Sequence, residues 1–159
     1  MYCKCSGPTG PTGPQGISGV LNYADFYALM PSDNAATIAP GADVSFPQDG
    51  PISNTNISRL SASSFNLTEI GTYEILFQVS ISEAGQLQLT LNGAPLDYTT
   101  VGRATGTSQI IGIALVTTTT INSVVTVQNP AGNTTALTIT PSAGGTESVS
   151  AHLVIIQIQ

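Results

Sequence analysis

Positive charge is scarce in this chain of 159 residues. Lys and Arg together number 3 against 9 Asp and Glu, and charged residues make up 8% of the sequence. Nucleic acids and anionic membrane surfaces are bound through clusters of Lys and Arg, so the composition argues against both as partners. The longest apolar runs, Ile113 to Val116 and Leu153 to Ile156, are far shorter than the about 20 residues of a membrane span.

An apolar signal-peptide core is missing from residues 1–6. We therefore expect export, if it occurs, to use a route that this sequence does not encode or a signal that has been removed. Runs of the helix formers Ala, Glu, Lys and Leu are missing as well. Thr, Ser, Asn and Gln fill the polar positions, and β-branched Thr favours strands, so the composition predicts an all-β protein. Hydrophobic residues make up 41%, enough for one domain to bury a core.

A glycine recurs at every third position from residue 7 to residue 19. The triplets are Gly7-Pro8-Thr9, Gly10-Pro11-Thr12, Gly13-Pro14-Gln15 and Gly16-Ile17-Ser18. Only glycine fits at the axis of three wound polyproline-II chains, so the period predicts a collagen-like stem over residues 7–19, the alternative being a flexible linker. Four triplets span about 37 Å and would not hold three chains together alone. We therefore expect the following domain, residues 20–159, to trimerise and to align the stems.

Cys3 and Cys5 are the only cysteines, and both lie in the short N-terminal segment, residues 1–6. The separation and orientation that a disulfide requires disfavour a bridge between them within one chain. Three hypotheses remain: interchain disulfides that staple the stem, a thiol attachment to another protein or surface, and reduced side chains at a frayed end. A metal site is least favoured because the sole histidine, His152, is far away in sequence.

Short segments of strand character begin after the stem. Turn signals such as Asn92-Gly93, Asn129-Pro130 and Gly144-Gly145 separate them, and spacings of about ten residues predict a sandwich or jelly roll without helices. Residues 47–51 are predicted to form a turn. The predicted strands are Tyr23 to Met30, Asp43 to Phe46, Asn56 to Leu60, Ser63 to Thr68, Thr72 to Ser82, Gln86 to Leu91, Leu96 to Val101, Gln109 to Thr118, Ile121 to Gln128, Thr134 to Thr140 and Ser148 to Ile158.

The strands differ in how their faces are covered. In Gln86 to Leu91 apolar and polar residues alternate, so the odd positions are predicted to face the core and the even positions water. Ile110 to Val116 and Leu153 to Ile158 are apolar on both faces. One face of a strand in a two-layer sandwich should be wet, so these segments need a second cover, and a subunit interface is favoured over overlying loops. The candidate interface residues are Leu153, Val154, Ile155, Ile156 and Ile158.

The sequence contains no arrangement typical of catalysis. His152 alternates with Val154 and Ile156 and is predicted to be packed or at an interface, because no nucleophile elbow and no paired acid accompany it. The carboxylates are dispersed singly, although Asp43 and Asp49 could meet in space. We therefore predict that the protein is not an enzyme and has no catalytic residue, no cofactor and no bound metal.

Three glycosylation sequons and two arginines are the remaining candidates for a site. The sequons begin at Asn56, Asn66 and Asn133, but this pattern arises readily in a chain rich in Ser and Thr. Arg59 and Arg103 are the only arginines. They could mark a ligand site or an intersubunit pair, and the simpler interpretation is that they keep the surface soluble.

Two stretches of the domain predicted at residues 20–159, here called the head, carry a resemblance to known proteins. The segment Phe65 to Ser80, with Phe65, Gly71, Tyr73 and an alternating apolar strand, follows a collagen-like stem. This combination resembles the BclA-like collagen-like exosporium glycoproteins of bacterial spores. The same pattern and the closing segment Ser150 to Ile156 are similar to the heads of complement-type and tumour-necrosis-factor-like proteins. The resemblance covers nearly the whole chain, although each local motif is only moderately specific.

The resemblance implies a ten-stranded jelly roll that forms a homotrimer, with the chain termini together at the base where the stem attaches. It implies that the last strand lies in the inner sheet near the threefold axis and that Ile110 to Val116 belongs to the outer sheet. Members of the family carry O-linked sugars on Thr in Gly-Pro-Thr triplets, so Thr9 and Thr12 would be the acceptors here. The short stem and the cysteine-containing start depart from the family pattern.

Together these features predict a structural protein of an extracellular surface, the spore exosporium by resemblance, whose head trimerises and registers the stem. The expected partners are two further copies of the chain and, through the N-terminus, other spore-coat or surface proteins. The alternative is a ligand-binding trimeric head, as in complement-type proteins or collagen-bearing phage fibres.

Overall fold

The computed structural model describes residues 19–30, 32–34, 36–140 and 143–159. Within these residues the structure is all-β, and one short 3₁₀ turn, Asp97–Thr99, is its only helical segment. The strands are β1 (Asn22–Leu29), β2 (Thr37–Ile38), β3 (Gln48–Ile52), β4 (Ile57–Ser61), β5 (Ser64–Leu67), β6 (Thr72–Ile81), β7 (Gly85–Leu91), β8 (Ala94–Pro95), β9 (Val101–Arg103), β10 (Ser108–Thr117), β11 (Ser123–Gln128), β12 (Leu137–Thr138) and β13 (Ser150–Gln157).

Two main sheets form a sandwich. The front sheet has the order β10-β6-β13-β1-β3, and the back sheet has the order β4-β5-β11-β7-β8, with β9 also paired to β7. A third, two-stranded sheet joins β2 to β12. Of the thirteen strands described, β2, β8 and β12 have only two residues, which leaves ten longer strands, five in each main sheet. The predicted all-β jelly roll is confirmed.

The core lies between the two sheets and follows from the period-two alternation along each strand. Phe26 of β1 and Phe65 of β5 meet across the sandwich with ring centroids 4.6 Å apart, and Phe46 contacts Phe65 edge-on at 6.2 Å. The longest strands contribute every second residue. These inward residues are Ala24, Phe26 and Ala28 of β1; Tyr73, Ile75, Phe77 and Val79 of β6; Ala151, Leu153 and Ile155 of β13; and Leu87 and Leu89 of β7.

Both ends of the described chain meet at one end of the sandwich, which we call the base. Leu21 N donates to Gln157 O at 2.8 Å, and Thr72 N donates to Gln159 O at 2.8 Å. A Cβ at Gly71 would lie 2.0 Å from Gln159 O, so this close approach requires glycine. β6 runs from Thr72 at the base to Ile81 at the opposite end, the apex, about 30 Å away.

Polar side chains close the core at the base. Asn22 and Gln157 are both buried, and the Asn22 amide donates to Gln157 Oε1. Gln157 Nε2 in turn donates to Glu69 at 3.3 Å, and the Tyr73 hydroxyl donates to Glu69 O at 2.8 Å. Burial raises the pKa of Tyr73, which keeps this hydroxyl a donor at neutral pH. The first and last strands are thus tied together beside the point where the chain enters the head.

The structure corrects several predicted elements. Asp43 to Phe46 forms only an isolated bridge, between Asp43 and Gln128. The segment lies beside the last residues of β11, which β5 does not reach. Leu96 to Val101 is a 3₁₀ turn followed by β9, and only Leu137–Thr138 of the predicted Thr134 to Thr140 is a strand. Residues 48–51 of the predicted turn at 47–51 belong instead to β3. Its Pro51 is tolerated because β3 pairs only with β1, at the edge of the front sheet.

The prediction that the even positions of Gln86 to Leu91 face water holds for Gln86, which is exposed, but is wrong for the other two. Gln88 and Thr90 are buried on the outward side of the back sheet. The Thr90 and Thr126 hydroxyls lie 2.8 Å apart, and Thr126 donates to Asp43 Oδ1 at 2.9 Å. Gln88 Nε2 donates to Gln128 Oε1 at 3.3 Å. These side chains leave water because neighbouring strands and the Asp43 segment satisfy their hydrogen bonds.

Candidate functional site

The outward surface of the front sheet, here called the front face, is the candidate functional site. Its centre is a row of Cα partners across four strands: Ile113 of β10, Leu76 of β6, Val154 of β13 and Asp25 of β1. The rows on either side complete the face. The front face comprises Ile111, Ile113 and Leu115; Glu74, Leu76 and Gln78; His152, Val154 and Ile156; and Tyr23, Asp25 and Tyr27.

The apolar part of the front face is widest on β10. Ile111, Ile113 and Leu115 are 54%, 62% and 54% exposed, while Ile110 and Val116 of the same strand reach the core. Gly112, between them on the core side, leaves the space that Phe77 fills, because a Cβ there would lie 2.3 Å from that ring. β10 is therefore apolar on both faces, and only one of them is covered within the subunit. A contiguous patch of this kind is typical of an interaction surface.

The assignment of β10 to the outer sheet, implied by the resemblance, is wrong. β10 pairs with β6 along its whole length, from Ser108 with Ile81 to Thr117 with Thr72. β6 pairs on its other side with β13, so both doubly apolar segments lie in the front sheet. Their second faces are part of one surface, which accounts for the pattern that the outer-sheet assignment left unexplained.

The candidate interface residues of the last strand divide between its two faces. Leu153 and Ile155 are fully buried in the subunit's own core, so a second subunit cannot contact them, and their inclusion in the interface is wrong. Val154 and Ile156 point outward on the front face and are half-buried by their neighbours. Ile158 follows the end of β13 at the base and is exposed. The alternation of strand residues explains this division.

Tyr98 extends the apolar surface at the β10 edge. This residue lies in the 3₁₀ turn and is 67% exposed, and its hydroxyl donates to Leu115 O at 3.0 Å. The sequence predicted a strand here and no role for Tyr98. An exposed aromatic residue after a turn carries no sequence signal for contact with a strand that begins ten residues later, so the tertiary structure alone reveals it.

A small polar cluster lies at the upper edge of the front face. His152 Nδ1 is 3.0 Å from Asp25 Oδ1, and His152 Nε2 is 3.0 Å from Ser150 Oγ. Tyr27 stacks on the imidazole with ring centroids 5.9 Å apart. The sequence predicted a packed or interface histidine, and the structure adds the partners that it did not identify. Ser150 lies two residues away on the same strand, and Asp25 reaches His152 only because β1 pairs with β13.

This cluster has the hydrogen-bond order of a hydrolase triad but not its setting. Active-site triads lie in concave sites with donors that stabilise an oxyanion. Three grooves in the described part of the chain, beside Arg103, Thr107 and Arg59, do not include Ser150, His152 or Asp25 in their lining. The three residues lie on the open sheet, beside an apolar patch. The arrangement fits a polar anchor at the margin of a contact surface better than a nucleophile.

The arginines predicted as possible site markers have partners within the chain. Arg59 binds Asp49 through two hydrogen bonds of 3.0 and 2.9 Å, which raise the pKa of its guanidinium. This pair joins β4 of the back sheet to β3 of the front sheet. Arg103 lies at the apex, where it donates to backbone carbonyls rather than to a carboxylate.

The carboxylates proposed to meet in space have separate partners. Asp49 pairs with Arg59, whereas Asp43 accepts hydrogen bonds from Thr126 and Gln128. Among the described residues, no group of three or more His, Cys, Asp or Glu is arranged to hold a metal ion. In the same residues no helix has the length and apolarity needed to cross a membrane.

The three sequon asparagines all use their amide groups within the chain. Asn56 Nδ2 donates to Glu69, Asn66 Nδ2 to Thr68, and Asn133 Nδ2 to Asn129, each at 2.9 Å. Asn66 is also buried. The predicted disulfide or attachment residues Cys3 and Cys5 and the predicted sugar acceptors Thr9 and Thr12 lie outside the described residues.

The comparison with protein families identifies the chain's relatives. The sequence profile of the BclA C-terminal domain matches residues 26–159, which is most of the chain and nearly all of the sandwich. The chain belongs to the BclA C-terminal domain family. This membership confirms the resemblance read from Phe65 to Ser80 and from the closing strand. No curated protein matches the chain significantly.

Solved structures place this BclA C-terminal domain in a wider fold group. The globular domain of zebrafish complement 1qA protein is similar with a TM-score of 0.59 at 12% identity, over 87% of this chain and 97% of that one. Murine APRIL gives a TM-score of 0.59 at 12% identity over 85% and 98%. The PRD1 vertex protein gives 0.56 at 15% identity over 89% and 100%. At these identities the likeness establishes a shared jelly-roll fold.

Proposed function

We propose that this chain is a non-enzymatic structural protein whose head assembles as a homotrimer through the front face and registers the collagen-like stem. The observation that carries the proposal is the open apolar row formed by Ile113, Leu76 and Val154, flanked by Ile111, Leu115 and Ile156. These side chains lie on the outer side of a sheet whose inner side packs in the core. Burying such branched side chains stabilises an assembly by about 1.5–3 kcal/mol for each one fully removed from water.

The stem explains why the assembly would contain three chains. A collagen helix requires three strands in register, and four triplets supply too little association energy alone. A trimeric head would raise the effective concentration of the stems and align their starts. Leu21 lies beside Gln157 at the base, so the stem segment leaves the head from the end that contains both termini.

Family membership supports a location in the outer layer of bacterial spores. In that setting the head would present a surface low in charge, in keeping with a sequence of only 8% charged residues. Thr9 and Thr12 would carry O-linked sugars, and Cys3 and Cys5 would staple the stems or attach them to other surface proteins. Fractionation of spores with an antibody to the head tests this location, and a signal confined to the soluble fraction would count against it.

Light scattering on the full chain tests the assembly. We expect three times the 16.3 kDa chain mass, whereas a monomer at micromolar concentration would contradict the proposal. Deletion of residues 1–19 separates the roles of head and stem. The shortened chain should remain trimeric and nearly as stable, because the front face rather than four triplets supplies the association energy.

A further inference from the structure

A groove lies at the apex of the head, away from the front face and from the base. Its volume is about 520 Å³, within the range of small-ligand sites. It runs between the start of β7, the end of β9 and the loop that follows β11. The groove is lined by Ala84, Gly85 and Gln86, by Gly102, Arg103 and Ala104, and by Asn133, Thr134 and Thr135.

Arg103 is the one charged residue among those that line this groove, in a chain of net charge -6. Its Nη1 donates to Ile81 O at 3.1 Å and to Glu83 O at 2.9 Å, and its Nη2 donates to Thr105 O. All three acceptors are neutral backbone carbonyls, and no carboxylate of the described residues forms an ion pair with Arg103. Its Nε is buried and has no hydrogen-bond partner among the described residues. The guanidinium is therefore held in place by neutral acceptors, with no carboxylate at ion-pair distance among the described residues.

The carboxylate of Glu83 is near enough to Arg103 for their charges to interact, but it accepts its hydrogen bond from β12. Thr138 N donates to Glu83 Oε2 at 2.7 Å. Hydrogen bonds from Thr138 lower the pKa of Glu83, and the charge of Arg103 lowers it slightly further. Glu83 is therefore ionised at neutral pH and engaged with β12, and it does not line the groove.

The walls of the groove offer hydrogen-bonding groups that the protein leaves unused. The side chains of Gln86, Thr134 and Thr135 make no hydrogen bond within the described residues, and the two threonines are exposed. Asn133 uses its Nδ2 on Asn129, which leaves its carbonyl oxygen to accept. The lining includes no aromatic residue, no branched apolar residue and no carboxylate. These features disfavour an apolar ligand and a metal cation, since each would need the groups that are missing.

We propose that the apex groove binds a carboxylated sugar, such as a uronic acid unit of a polysaccharide. The free hydroxyl and amide groups would hydrogen-bond to the sugar hydroxyls, while the Arg103 charge would favour the carboxylate. A single cation cannot match the repeated phosphates of a nucleic acid, which separates this ligand class from an extended polyanion. The groove lies about the length of β6 away from the base, and none of the residues that line it belongs to the front face.

Nuclear magnetic resonance of the full chain tests the site with three probes: glucuronic acid, glucose and acetate. Glucuronic acid should shift the backbone amides of residues 84–86, 102–104 and 133–135 in a saturable way. Glucose lacks the carboxylate and acetate lacks the hydroxyls, so each should bind about tenfold more weakly. Added salt should weaken glucuronic acid binding and leave glucose binding unchanged.

A variant pair locates the binding. Thr134→Val with Thr135→Val removes two hydroxyls from the groove without touching the three carbonyl contacts of Arg103, and should weaken glucuronic acid binding about fivefold. Thr119→Val, at an exposed threonine near the base, should leave binding unchanged. Equal binding of glucose or acetate would overturn the ligand class. No saturable shift, or equal loss in both variants, would overturn the site, and neither result bears on trimerisation.

Discussion

The front face and the outward side of the back sheet, here called the back face and centred on Gln88, Thr90 and Thr126, are both built from strands with alternating side chains but end in opposite states. On the front face Ile111, Ile113 and Leu115 stay exposed, and nothing else in the described chain covers them. On the back face Thr90 and Thr126 are buried, although both are polar. On the back face the buried hydroxyls have hydrogen-bond partners within the subunit, among them Asp43. Exposed apolar side chains leave water only when another apolar surface covers them.

The difference shows that polarity alone does not decide exposure in a sandwich. Side chains such as Gln88 and Gln128 can leave water when a neighbouring strand supplies the partner. A branched apolar side chain on an open sheet has no such option within the subunit. The face whose side chains are better suited to the interior is therefore the one that the subunit itself leaves uncovered.

The largest expected effect comes from placing a charge on the core side of the last strand. Ile155→Asp puts a carboxylate where the native side chain is fully buried, which costs several kcal/mol and should unfold the subunit. Circular dichroism should then show loss of the β-sheet signal at ambient temperature. A folded Ile155→Asp protein with native melting would show that this side of β13 is not the core side.

The next effect comes from the neighbouring residue on the other side of the same strand. Val154→Asp should leave the subunit folded and abolish or weaken assembly, because three copies of the charge would be repeated around the threefold axis. Sedimentation should show a shift from trimer toward the 16.3 kDa monomer. If subunits cannot fold alone, the variant should instead unfold at a temperature that rises steeply with protein concentration.

Leu60→Asp is the matched control for Val154→Asp. Leu60 is 59% exposed on β4 of the back sheet, so a charge there should change neither folding nor mass. Dissociation by Leu60→Asp together with an intact Val154→Asp trimer would assign the contact to the back sheet and reverse the comparison between the two faces.

A moderate effect is expected from opening the polar network of the back face. Thr126→Val keeps the shape of the side chain but removes its hydrogen bonds to Asp43 and Thr90, which should reduce the free energy of unfolding by about 1–3 kcal/mol. The trimer mass should not change. Denaturant unfolding of this variant beside Thr119→Val measures the difference, and equal stability of the two would show that the buried hydroxyls contribute little.

The smallest effect is expected at the ion pair that joins the edges of the two sheets. Asp49→Asn removes the charge that Arg59 contacts, and exposed pairs contribute only about 0.2–1 kcal/mol. The loss in melting temperature should shrink as salt is added, because salt screens the same interaction in the native protein. A loss that does not depend on salt would mean that Asp49 acts through packing at the β3 edge.

Much of the fold could be predicted because it rests on local pattern. The alternation of Thr72 to Ser82 and of Ser148 to Ile158 indicated β6 and β13 within two residues at each end. β3 was missed because Asp49, Gly50 and Pro51 are turn residues in isolation, and only the free edge of β1 makes them a strand. The strand predicted at Asp43 to Phe46 was wrong for the opposite reason. Its sequence favours an extended chain, but only Asp43 forms a bridge to a neighbouring strand.

The candidate site was predictable in kind but not in detail. Apolar residues on both faces of Ile110 to Val116 and of Leu153 to Ile158 indicated a surface that needs a second cover. Which face of the last strand is the outer one could not be derived, because shifting the pairing by one residue exchanges all inward and outward side chains. The partners of His152 depend on the register of β1 against β13, which local sequence does not encode.

By itself, the sequence determined an all-β head, a segment with a glycine at every third residue and a surplus of apolar strand faces. These properties depend on composition and short periods, which are the same in any arrangement of the strands. Only the tertiary structure decided that β10 and β13 share one sheet, that Leu153 and Ile155 belong to the core, and that Arg103 and Thr134 line the same groove at the apex. Each of these depends on pairings between segments far apart in the chain, and their register is set by the packing of the whole sandwich.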